Sequence, residues 1–293
     1  MSIVPVPAML TDGQWRHLQR WLPAPAPTGR PITRSRRTLL DAIAWRVRTG
    51  APWRYLPAGY GPWQTAYWLF RTWQARGIWP MIVKAIGTFL DTAGHLDWTV
   101  SVDSTTVRAH RSAAEAAKRP VPGEPDDHAL GRSRGGWTTK IHLAADTSQT
   151  VLSFKLTAGQ RADSPHLPAV LEAISVPRPG PGRPRTRPDR VLADKGYPSR
   201  ANRIYLRKRG IQAVIPDRAD QRANRKAKGR RGGRPPAFDR ETYKQRNTVE
   251  RVIGRLKRFR AVATRYDQLA VQYEATIQVA IILDWKPKFS NAA

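Results

Sequence analysis

The chain has 293 residues and carries 51 Lys and Arg against 22 Asp and Glu, a formal net charge of +29. This excess of positive charge repels itself in a folded protein, so it favours a polyanionic partner such as nucleic acid, and it leaves open a protein that binds phosphate without chemistry. The absence of cysteine excludes disulfides, thiolate metal sites and cysteine nucleophiles.

Residues 1–95 have the pattern of a small all-α domain. Thr11 is a suitable N-cap for a first helix, and RTLLDAIAWRVRTG predicts a second helix that stops at Gly50. WQTAYWLFRTWQARG predicts a third helix, and a fourth follows at about 79–94. Eight of the eleven tryptophans lie in residues 1–80, which indicates an aromatic core. A helix-turn-helix-like DNA module is compatible with that core, with phosphate contacts from Arg46, Arg48, Arg54 and Arg71.

Beyond residue 96 the pattern changes to strands and helices. DWTVSVDS, WTTKIHLAAD and TVLSFKLTAG predict three successive strands, the last two forming a hairpin. A helix, a strand ending on Asp194, a helix closed by Gly210, the strand IQAVI and helices at about 239–259 and 267–285 follow. This is the element order of the ribonuclease-H-like fold. We therefore predict an α/β protein: a ribonuclease-H-like domain over 96–293 with a mixed five-stranded sheet, preceded by the helix-turn-helix-like domain.

Two basic segments of the second domain, 112–136 and 216–238, are predicted to be loops. Residues 217–235 hold eight basic and two acidic residues without apolar periodicity. The alternatives are a solvated run and a phosphate-contacting loop, and the charge of the chain favours the second. The residues singled out for phosphate contact are Arg225, Arg230 and Arg231.

Three acids occupy informative positions on this predicted fold. Asp103 lies at the end of the first strand, Asp194 ends the fourth, and Glu250 lies on the helix after the fifth. Such positions can converge on one crevice, and converging carboxylates repel unless a cation neutralises them. Hard oxygen ligands suit Mg²⁺ or Mn²⁺. Taken singly, the acids have ordinary explanations: turns for the two Asp and an i,i+4 pair with Arg246 for Glu250.

The helix at 239–259 adds a spaced set of polar residues. Tyr243, Arg246, Glu250 and Lys257 are offset by 3, 7 and 14 residues, which places them within about 60° of one another on a regular helix. An adjoining apolar stripe would dock on the sheet. We expect Glu250 to bind metal while Arg246 and Lys257 hold DNA phosphates.

These motifs resemble the DDE transposases of bacterial insertion sequences, in the actinobacterial branch of the insertion-sequence-five family. That family's signature of Tyr, two residues, Arg, three residues, Glu, six residues and Lys is complete at Tyr243, Arg246, Glu250 and Lys257. VDSTTVRAH and LADKGYPSR resemble the segments that carry the other two acids. LTDGQW, TGAPWRYLP and YGPWQTAYWLFRTW resemble the family's N-terminal domain. The resemblance covers roughly residues 9–285.

The resemblance implies a Mg²⁺-dependent enzyme that binds terminal inverted repeats through residues 1–95. Asp103, Asp194 and Glu250 would hold two Mg²⁺ ions, with Mn²⁺ able to substitute. Water would attack a phosphodiester at the transposon end, and the freed 3′-OH would attack target DNA. The residues predicted to contact DNA are Tyr243, Arg246, Lys257, Lys195, Arg251, Arg225, Arg230 and Arg231.

The expected partner is double-stranded DNA, bound by a homodimer because two transposon ends must be paired. No apolar run reaches the roughly 18 residues that span a bilayer, and the N-terminus lacks signal-peptide features. A cytoplasmic, nucleoid-associated protein without a membrane partner is therefore expected. Lys195, His110 and His142 are interpreted as structural or phosphate-contacting.

Two alternatives stay open at this point. One is a decayed or domesticated transposase that only binds DNA, although the intact acids favour the enzyme. The other is a ribonuclease-H-like nuclease that cuts without strand transfer. The sequence leaves the terminal repeat undefined, as well as the choice between a hairpin route and double hydrolysis.

Overall fold

The computed structural model describes residues 6–24, 34–114, 121–133 and 135–285. The chain forms two compact units, each built from separate stretches of sequence. The first unit comprises Met1–Ile86, Val107–Thr139 and Arg255–Ala293, and the second comprises Gly87–Thr106 and Lys140–Gly254. No helix among the described residues is long and apolar enough to cross a membrane.

The described residues form twelve α-helices and seven β-strands. The helices are α1 (Asp12–Leu18), α2 (Arg36–Thr49), α3 (Trp63–Ala75), α4 (Ile78–Thr92), α5 (Arg111–Ala114), α6 (Leu167–Glu172), α7 (Arg200–Lys208), α8 (Ala219–Ala227), α9 (Arg240–Lys244), α10 (Asn247–Leu256), α11 (Arg260–Ala263) and α12 (Ala270–Asp284). The strands are β1 (Thr99–Ala109), β2 (Gly131–Ser133), β3 (Gly136–Asp146), β4 (Val151–Ala158), β5 (Arg190–Ala193), β6 (Gln212–Val214) and β7 (Thr264–Arg265).

Capping residues set the ends of the first helices. The Thr11 hydroxyl accepts a hydrogen bond from the Gln14 amide at 3.3 Å, and the Gln14 side chain accepts one from the Thr11 amide at 2.8 Å. This reciprocal pair satisfies two backbone donors at the start of α1. α2 ends at Gly50, whose φ of 68° is left-handed and favours glycine. Both predicted helix boundaries are therefore confirmed.

Aromatic side chains supply part of the core of the first unit. Phe70, Trp73 and Trp79 are buried, with the two indole rings 5.0 Å apart. The Trp79 indole nitrogen donates to the Phe70 carbonyl at 3.1 Å, so its polar atom is satisfied inside the core. The predicted aromatic core is present, although Trp68 on α3 is 58% exposed.

The second unit contains a sheet in the order β4-β3-β1-β5-β6. Counted by sequence within this unit, the order is 3-2-1-4-5, the strand order of the ribonuclease-H-like fold. β1 pairs parallel with β5, and β5 with β6, while β3 and β4 are neighbours joined by a short turn. The predicted α/β, ribonuclease-H-like class is confirmed. The sheet has seven strands among the described residues instead of the predicted five, because the short strands β2 and β7 pair with β3 and β1.

Aliphatic side chains of this sheet form one core with two helices. Val100, Val102 and Val191 from the strands are buried in the same cluster as Leu171 of α6 and Leu206 of α7. Complete burial of such a side chain stabilises the fold by about 1.5–3 kcal/mol. This core fixes the strands whose ends carry the predicted acids.

The first strand is longer than predicted, so Asp103 lies within β1 instead of at its end. Thr105, Thr106 and Val107 are β-branched and continue the extended backbone. Beyond them Arg108 pairs with Thr264 of the short strand β7, which the sequence did not predict. The parallel pairing of β1 with β5 nevertheless ends at Val102, one residue before Asp103.

The segment 112–136, predicted as a loop, contains regular structure at both ends. α5 covers its start, and β2 pairs antiparallel with β3, with Gly131 opposite Thr138. The Thr138 hydroxyl also donates to the Gly131 carbonyl at 3.3 Å, which supports the pairing. Residues 115–120 and 134 of this predicted loop lie outside the described residues.

The segment 216–238 was also predicted as a loop, but α8 occupies its first half. Ala, Gln, Arg and Lys are strong helix formers, and Asp220 lies in the first turn while basic residues lie in the last. The Arg225 guanidinium donates to Asp217 at 2.7 Å, which ties the helix to the residues before it. α8 has no buried residue, so apolar periodicity could not reveal it.

The helix predicted over 239–259 is divided into α9 and α10. The Gln245 and Arg246 amides bond to carbonyls three residues back, at 3.1 and 3.0 Å, and this tighter turn interrupts the α-helical pattern. Tyr243 therefore lies on α9 and Glu250 on α10. Lys257 lies one residue beyond the end of α10 and belongs to the first unit. The four signature residues do not share one regular helix face.

Candidate active site

Asp103 and Asp194 are placed side by side by the strand register. Val102 and Ala193 are partners in the parallel pairing of β1 and β5. Asp103 directly follows Val102, and Asp194 directly follows Ala193. Because parallel strands run in the same direction, the residues that follow a pair of register partners also lie side by side. Both carboxylates are therefore carried to the same edge of this strand pair.

Arg246 connects Asp103 with Glu250. Its Nη1 lies 3.4 Å from Asp103 Oδ2, and its Nη2 is hydrogen-bonded to Glu250 Oε1. The Asp103 and Arg246 side chains are 23% and 21% exposed, whereas Glu250 is 48% exposed. The turn between α9 and α10 thus presents one guanidinium to two of the three predicted acids.

The electrostatics of Asp103 reflect crowding of negative charge. Burial raises the pKa of Asp103, and the nearby Asp194 and Glu250 carboxylates add to that rise. The Ser104 amide, which donates to Asp103 Oδ1 at 2.7 Å, and the Arg246 charge act in the opposite direction but do not cancel it. Asp103 is therefore a carboxylate whose charge is incompletely compensated.

The pKa values of the Arg246 and Tyr243 side chains are also raised in these surroundings. Burial opposes the charge of Arg246, but the hydrogen bond and charge of Glu250 outweigh burial and raise the pKa of Arg246. Burial also raises the pKa of the Tyr243 hydroxyl. Tyr243 thus stays protonated at neutral pH and is suited to donate a hydrogen bond. Its ring packs edge-on against Phe238 at 5.1 Å.

Asp194 lies in a tight turn directly after β5. Its Oδ1 accepts a hydrogen bond from the Gly196 amide at 2.7 Å. A Cβ on residue 196 would lie 2.9 Å from that same oxygen, so glycine is required for the carboxylate to keep this position. The turn interpretation of Asp194 and its position beside Asp103 are compatible.

The sequence did not single out a fourth carboxylate, Asp163. Asp163 lies just before the short turn that leads into α6, but its side chain makes no capping bond to the described residues. Instead, Ser104 Oγ donates to it at 2.7 Å and Lys140 Nζ lies 2.8 Å away. Burial opposes the charge of Asp163, but the Lys140 and Ser104 hydrogen bonds prevail and lower its pKa. Nothing in the local sequence indicates that Asp163 contacts Ser104, the residue after Asp103.

His142 behaves as a structural residue. It is buried, and its Nε2 lies 2.9 Å from the Thr157 hydroxyl. Burial and the neighbouring His166 lower the pKa of His142 to about 4, so it is neutral at physiological pH. The ring centroids of the two histidines are 4.7 Å apart. A neutral, buried imidazole fits the structural alternative from the sequence.

Several of the predicted DNA contacts line one basic cavity in the second unit. It has a volume of about 870 Å³, and Lys195, Arg225, Phe238 and Tyr243 are among its lining residues. Arg222, Lys226 and Arg240 add positive charge, against one acid, Asp217. The cavity brings together residues from the Asp194 turn, α8 and α9.

The other predicted DNA contacts are dispersed. Arg231 lines a second groove of about 500 Å³, together with basic residues of α7. Arg230 lies in the same exposed turn as Arg231, after α8. Arg251 is exposed on α10, and Lys257 is exposed in the first unit.

The donor set suits a hard divalent cation, but its members are not assembled around one position. Among the described residues, no group of three His, Asp or Glu side chains is close enough to hold a metal ion. Arg246 instead supplies positive charge between Asp103 and Glu250. The catalytic and metal-binding roles of the acids remain predictions.

Comparison with known proteins identifies the class. A family model described as "Transposase DDE domain" matches residues 94–285. The chain therefore belongs to the DDE-domain transposases, enzymes that cut and join DNA strands. A second model, described as "Putative transposase of IS4/5 family", matches residues 10–83. The resemblance to insertion-sequence transposases drawn from the sequence is confirmed.

Two individual relatives illustrate the similarity, and one of them is described as a putative transposase. The chain is 30% identical over 109 residues to "Uncharacterized protein y4sN" of Sinorhizobium fredii, covering 37% of this chain and 83% of that protein. It is 30% identical over 152 residues to "Putative transposase for insertion sequence element IS402" of Burkholderia cepacia, covering 52% of this chain and 64% of that protein.

A solved structure, "Crystal structure of a pre-cleavage Mos1 transpososome", matches 92% of this chain and 82% of its own, at 12% identity and a TM-score of 0.26. At that TM-score the likeness adds nothing to the assignment, which rests on the family model.

Proposed function

We propose that this transposase cuts DNA at the ends of an insertion sequence and joins the freed 3′ ends to target DNA, using Asp103, Asp194 and Glu250. The observation that carries the proposal is the parallel register of Val102 with Ala193, which brings the two aspartates to one edge of the sheet. Arg246 links Asp103 to Glu250 on the adjoining helix. The net charge of +29 supports DNA as the substrate.

DDE transposases generally use divalent metal ions, and we propose two Mg²⁺ ions, with Mn²⁺ able to substitute. Asp103, Asp194 and Glu250 would hold them, and their oxygen donors fit that role. The raised pKa of Asp103 supports the proposal, because crowded carboxylates gain most from an added cation. Such ions activate an attacking oxygen and stabilise the leaving one.

The protein's own residues bind and orient the DNA. A guanidinium makes strong hydrogen bonds with phosphate as well as with carboxylate, so Arg246 is suited to pass from the acids to a DNA phosphate when substrate binds. The protonated Tyr243 hydroxyl is suited to donate to a second phosphate oxygen. Neither residue acts as a nucleophile, because water and then the 3′-OH supply the attacking oxygen.

The basic cavity of the second unit supports a path for the DNA backbone. Lys195 follows Asp194 directly, and Arg222, Arg225 and Lys226 of α8 line the same cavity. Phosphate contacts of this kind position DNA without reading its sequence. Arg230, Arg231 and Arg251 are exposed and would extend the path.

Recognition of terminal inverted repeats by residues 1–95 remains a prediction, as does the division of the chain at residue 95. A homodimer in the DNA complex is proposed because transposition requires two paired ends. Lys257 is proposed to contact DNA from the first unit, where it is exposed.

One observation favours the alternative of a DNA-binding protein without cleavage activity. Arg246 is bonded to two of the three acids, Asp103 and Glu250. A guanidinium that stayed bonded to them would compete with a metal ion for the same carboxylate oxygens. The intact set of three acids favours the enzyme. An experiment distinguishes the enzyme from a protein that only binds DNA.

The test is a joining assay with a labelled, pre-cut duplex that carries the element's own end and a supercoiled plasmid as target. The enzyme is expected to join the 3′-OH to the plasmid in Mg²⁺ but not in EDTA. Glu250→Gln should abolish joining while DNA binding persists. Glu241→Gln is the matched control, because Glu241 is exposed and its ion pair among the described residues is with Lys244 on α9.

Each alternative predicts its own result. Nicking without joining would indicate a ribonuclease-H-like nuclease. DNA binding without nicking or joining, beside an active control transposase, would indicate the DNA-binding protein.

A further inference from the structure

The first unit contains a second cleft, with a volume of about 860 Å³. Its lining includes Trp53, Trp63 and Tyr67, from the end of α2 to the start of α3. The Trp53 and Trp63 rings lie 5.5 and 6.4 Å from the Tyr67 ring, so the three form a continuous aromatic wall. All three are partly exposed, which leaves ring surface available to a ligand.

Arg46 supplies a buried cation to this cleft. The residue is 4% exposed, and its Nη2 donates to Asp267 Oδ1 at 3.0 Å. Its Nε and Nη1 are buried and have no hydrogen-bond partner among the described residues. Unsatisfied buried donors are costly, so each requires an explanation, such as an acceptor that binds there. The Arg46 guanidinium also lies over the Trp53 ring, 5.4 Å from its centroid. That contact uses the face of the guanidinium and leaves the two in-plane N–H groups for an acceptor on a ligand.

The mouth of the cleft is also polar and positively charged. Arg54 is exposed and lies over the Trp63 ring at 5.6 Å. His110 is exposed and packs against Tyr266, with ring centroids 5.3 Å apart. Asp267, the one acid among the described lining residues, is already bonded to Arg46 and to the Thr276 hydroxyl.

We propose that this cleft takes one unstacked DNA base, with Trp63 and Tyr67 as the stacking surface, Arg46 as donor to an acceptor on the base edge, and Arg54 as the contact to the adjoining phosphate. Aromatic faces bind bases of any identity through stacking, and a volume of this size is typical of a site for one small ligand. Proteins that work on DNA can extrude a nucleotide from the duplex into such a pocket. The inference rests on the proposed function, because it requires DNA as the partner.

The experiment uses the full chain and a single-stranded oligodeoxythymidylate that contains one 2-aminopurine, whose fluorescence is quenched by stacking. Thymines stack weakly on the probe base, so the free oligonucleotide is fluorescent. Wild type should quench the probe. Trp63→Leu should weaken binding about 5- to 100-fold and lose most of the quenching at saturation. Trp68→Leu is the matched control on the same helix, because Trp68 is 58% exposed and does not line the cleft.

Arg54→Gln provides a second variant, because an exposed arginine can be replaced without disturbing the core. It should weaken probe binding and reduce the salt dependence of that binding, while the saturated probe stays quenched. Equal quenching and affinity in wild type, Trp63→Leu and Arg54→Gln would overturn the inference. So would deoxyadenosine monophosphate binding as tightly as the oligonucleotide, since the site would then serve a free nucleotide.

Cleavage of duplex carrying the element's end is measured in parallel. A wild type that neither binds nor cuts that duplex would refute the proposed function. A wild type that cuts it, with quenching unaffected by Trp63→Leu, would refute only the base site.

Discussion

Asp103 and Asp194 are neighbours because the residues before them, Val102 and Ala193, are register partners in two parallel strands. This relationship does not depend on side-chain conformation, since the backbone pairing sets it. Beside burial, the nearby Asp194 carboxylate therefore contributes to the raised pKa of Asp103. Burial remains the larger cause of the raised pKa of Asp103, and the strand pairing adds the Asp194 charge to it.

Asp103→Asn is expected to stabilise the fold at neutral pH, because it removes a carboxylate whose pKa burial and crowding raise. A raised folded-state pKa means that folding disfavours the charged form. Wild type therefore loses stability as the pH rises from the ordinary carboxyl range through the raised pKa. Thermal unfolding at pH 4 to 8 should show a higher Tm for the variant at pH 8 and a smaller difference at pH 4.

Asp163→Asn is the internal control, because hydrogen bonds from Lys140 and Ser104 lower the pKa of Asp163. A lowered pKa contributes stability above the ordinary carboxyl range, and that stability is lost as the pH falls through the folded-state value. This variant should be less stable than wild type at pH 8 and approach it at low pH. The same trend in both variants would contradict the electrostatic account.

Arg246→Gln is expected to make the stability of the protein more dependent on Mg²⁺. Removing the guanidinium leaves Asp103 and Glu250 without their bound cation, so an added divalent ion has more to neutralise. Without DNA, titration with Mg²⁺ should raise the Tm more in the variant than in wild type. Arg251→Gln, on the exposed face of α10, should respond as wild type does. Identical responses of all three proteins would show that Arg246 does not compete with metal.

Gly196→Ala is expected to lower cleavage strongly, because a Cβ at 2.9 Å would push the Asp194 carboxylate from its place. A displacement of about 1 Å at a catalytic group can cost about 10²-fold in rate. Single-turnover nicking of a labelled duplex measures the effect. Gly180→Ala is the control, since nothing lies within 4 Å of a Cβ there. Nicking by Gly196→Ala at the wild-type rate would show that the Asp194 position is not critical.

The double substitution Arg222→Ala and Lys226→Ala should weaken DNA binding and flatten its salt dependence, by roughly 0.9 in slope for each DNA phosphate that the protein no longer neutralises. Both residues are exposed on α8 and line the basic cavity. Removal of Arg183 and Arg187, which are exposed in the Pro- and Arg-rich segment before β5, serves as the control. An unchanged slope in the α8 variant would mean that the helix is only solvated.

Much of the fold could be predicted because its elements carry strong local signals. The strand before Asp194 is apolar and short, and Gly50 and Thr11 are at the expected helix ends. α8 was missed because a helix without a buried face has no apolar period. The break before α10 was missed because the local amino-acid sequence does not indicate which amides bond to carbonyls three residues back.

Long-range partners limited what could be predicted of the candidate sites. The hydrogen bond of Ser104 with Asp163 joins residues 59 apart in sequence. The bond between Arg46 and Asp267 joins residues 221 apart, so an arginine predicted as a surface phosphate contact proves to be buried. Neither partner can be found from spacing, because only the folded chain brings them together.

The most direct test of the central claim is single-turnover nicking of a labelled duplex carrying the element's end, in Mg²⁺, with Asp103→Asn, Asp194→Asn and Glu250→Gln compared with wild type. The controls are Asp189→Asn and Glu241→Gln, which alter exposed acids that pair with Arg185 and Lys244. We predict that each of the three site variants loses nicking by on the order of 10³-fold or more while keeping duplex affinity, and that both controls nick as wild type does. Nicking by any site variant at the control rate would contradict the assignment of these three acids to one catalytic site.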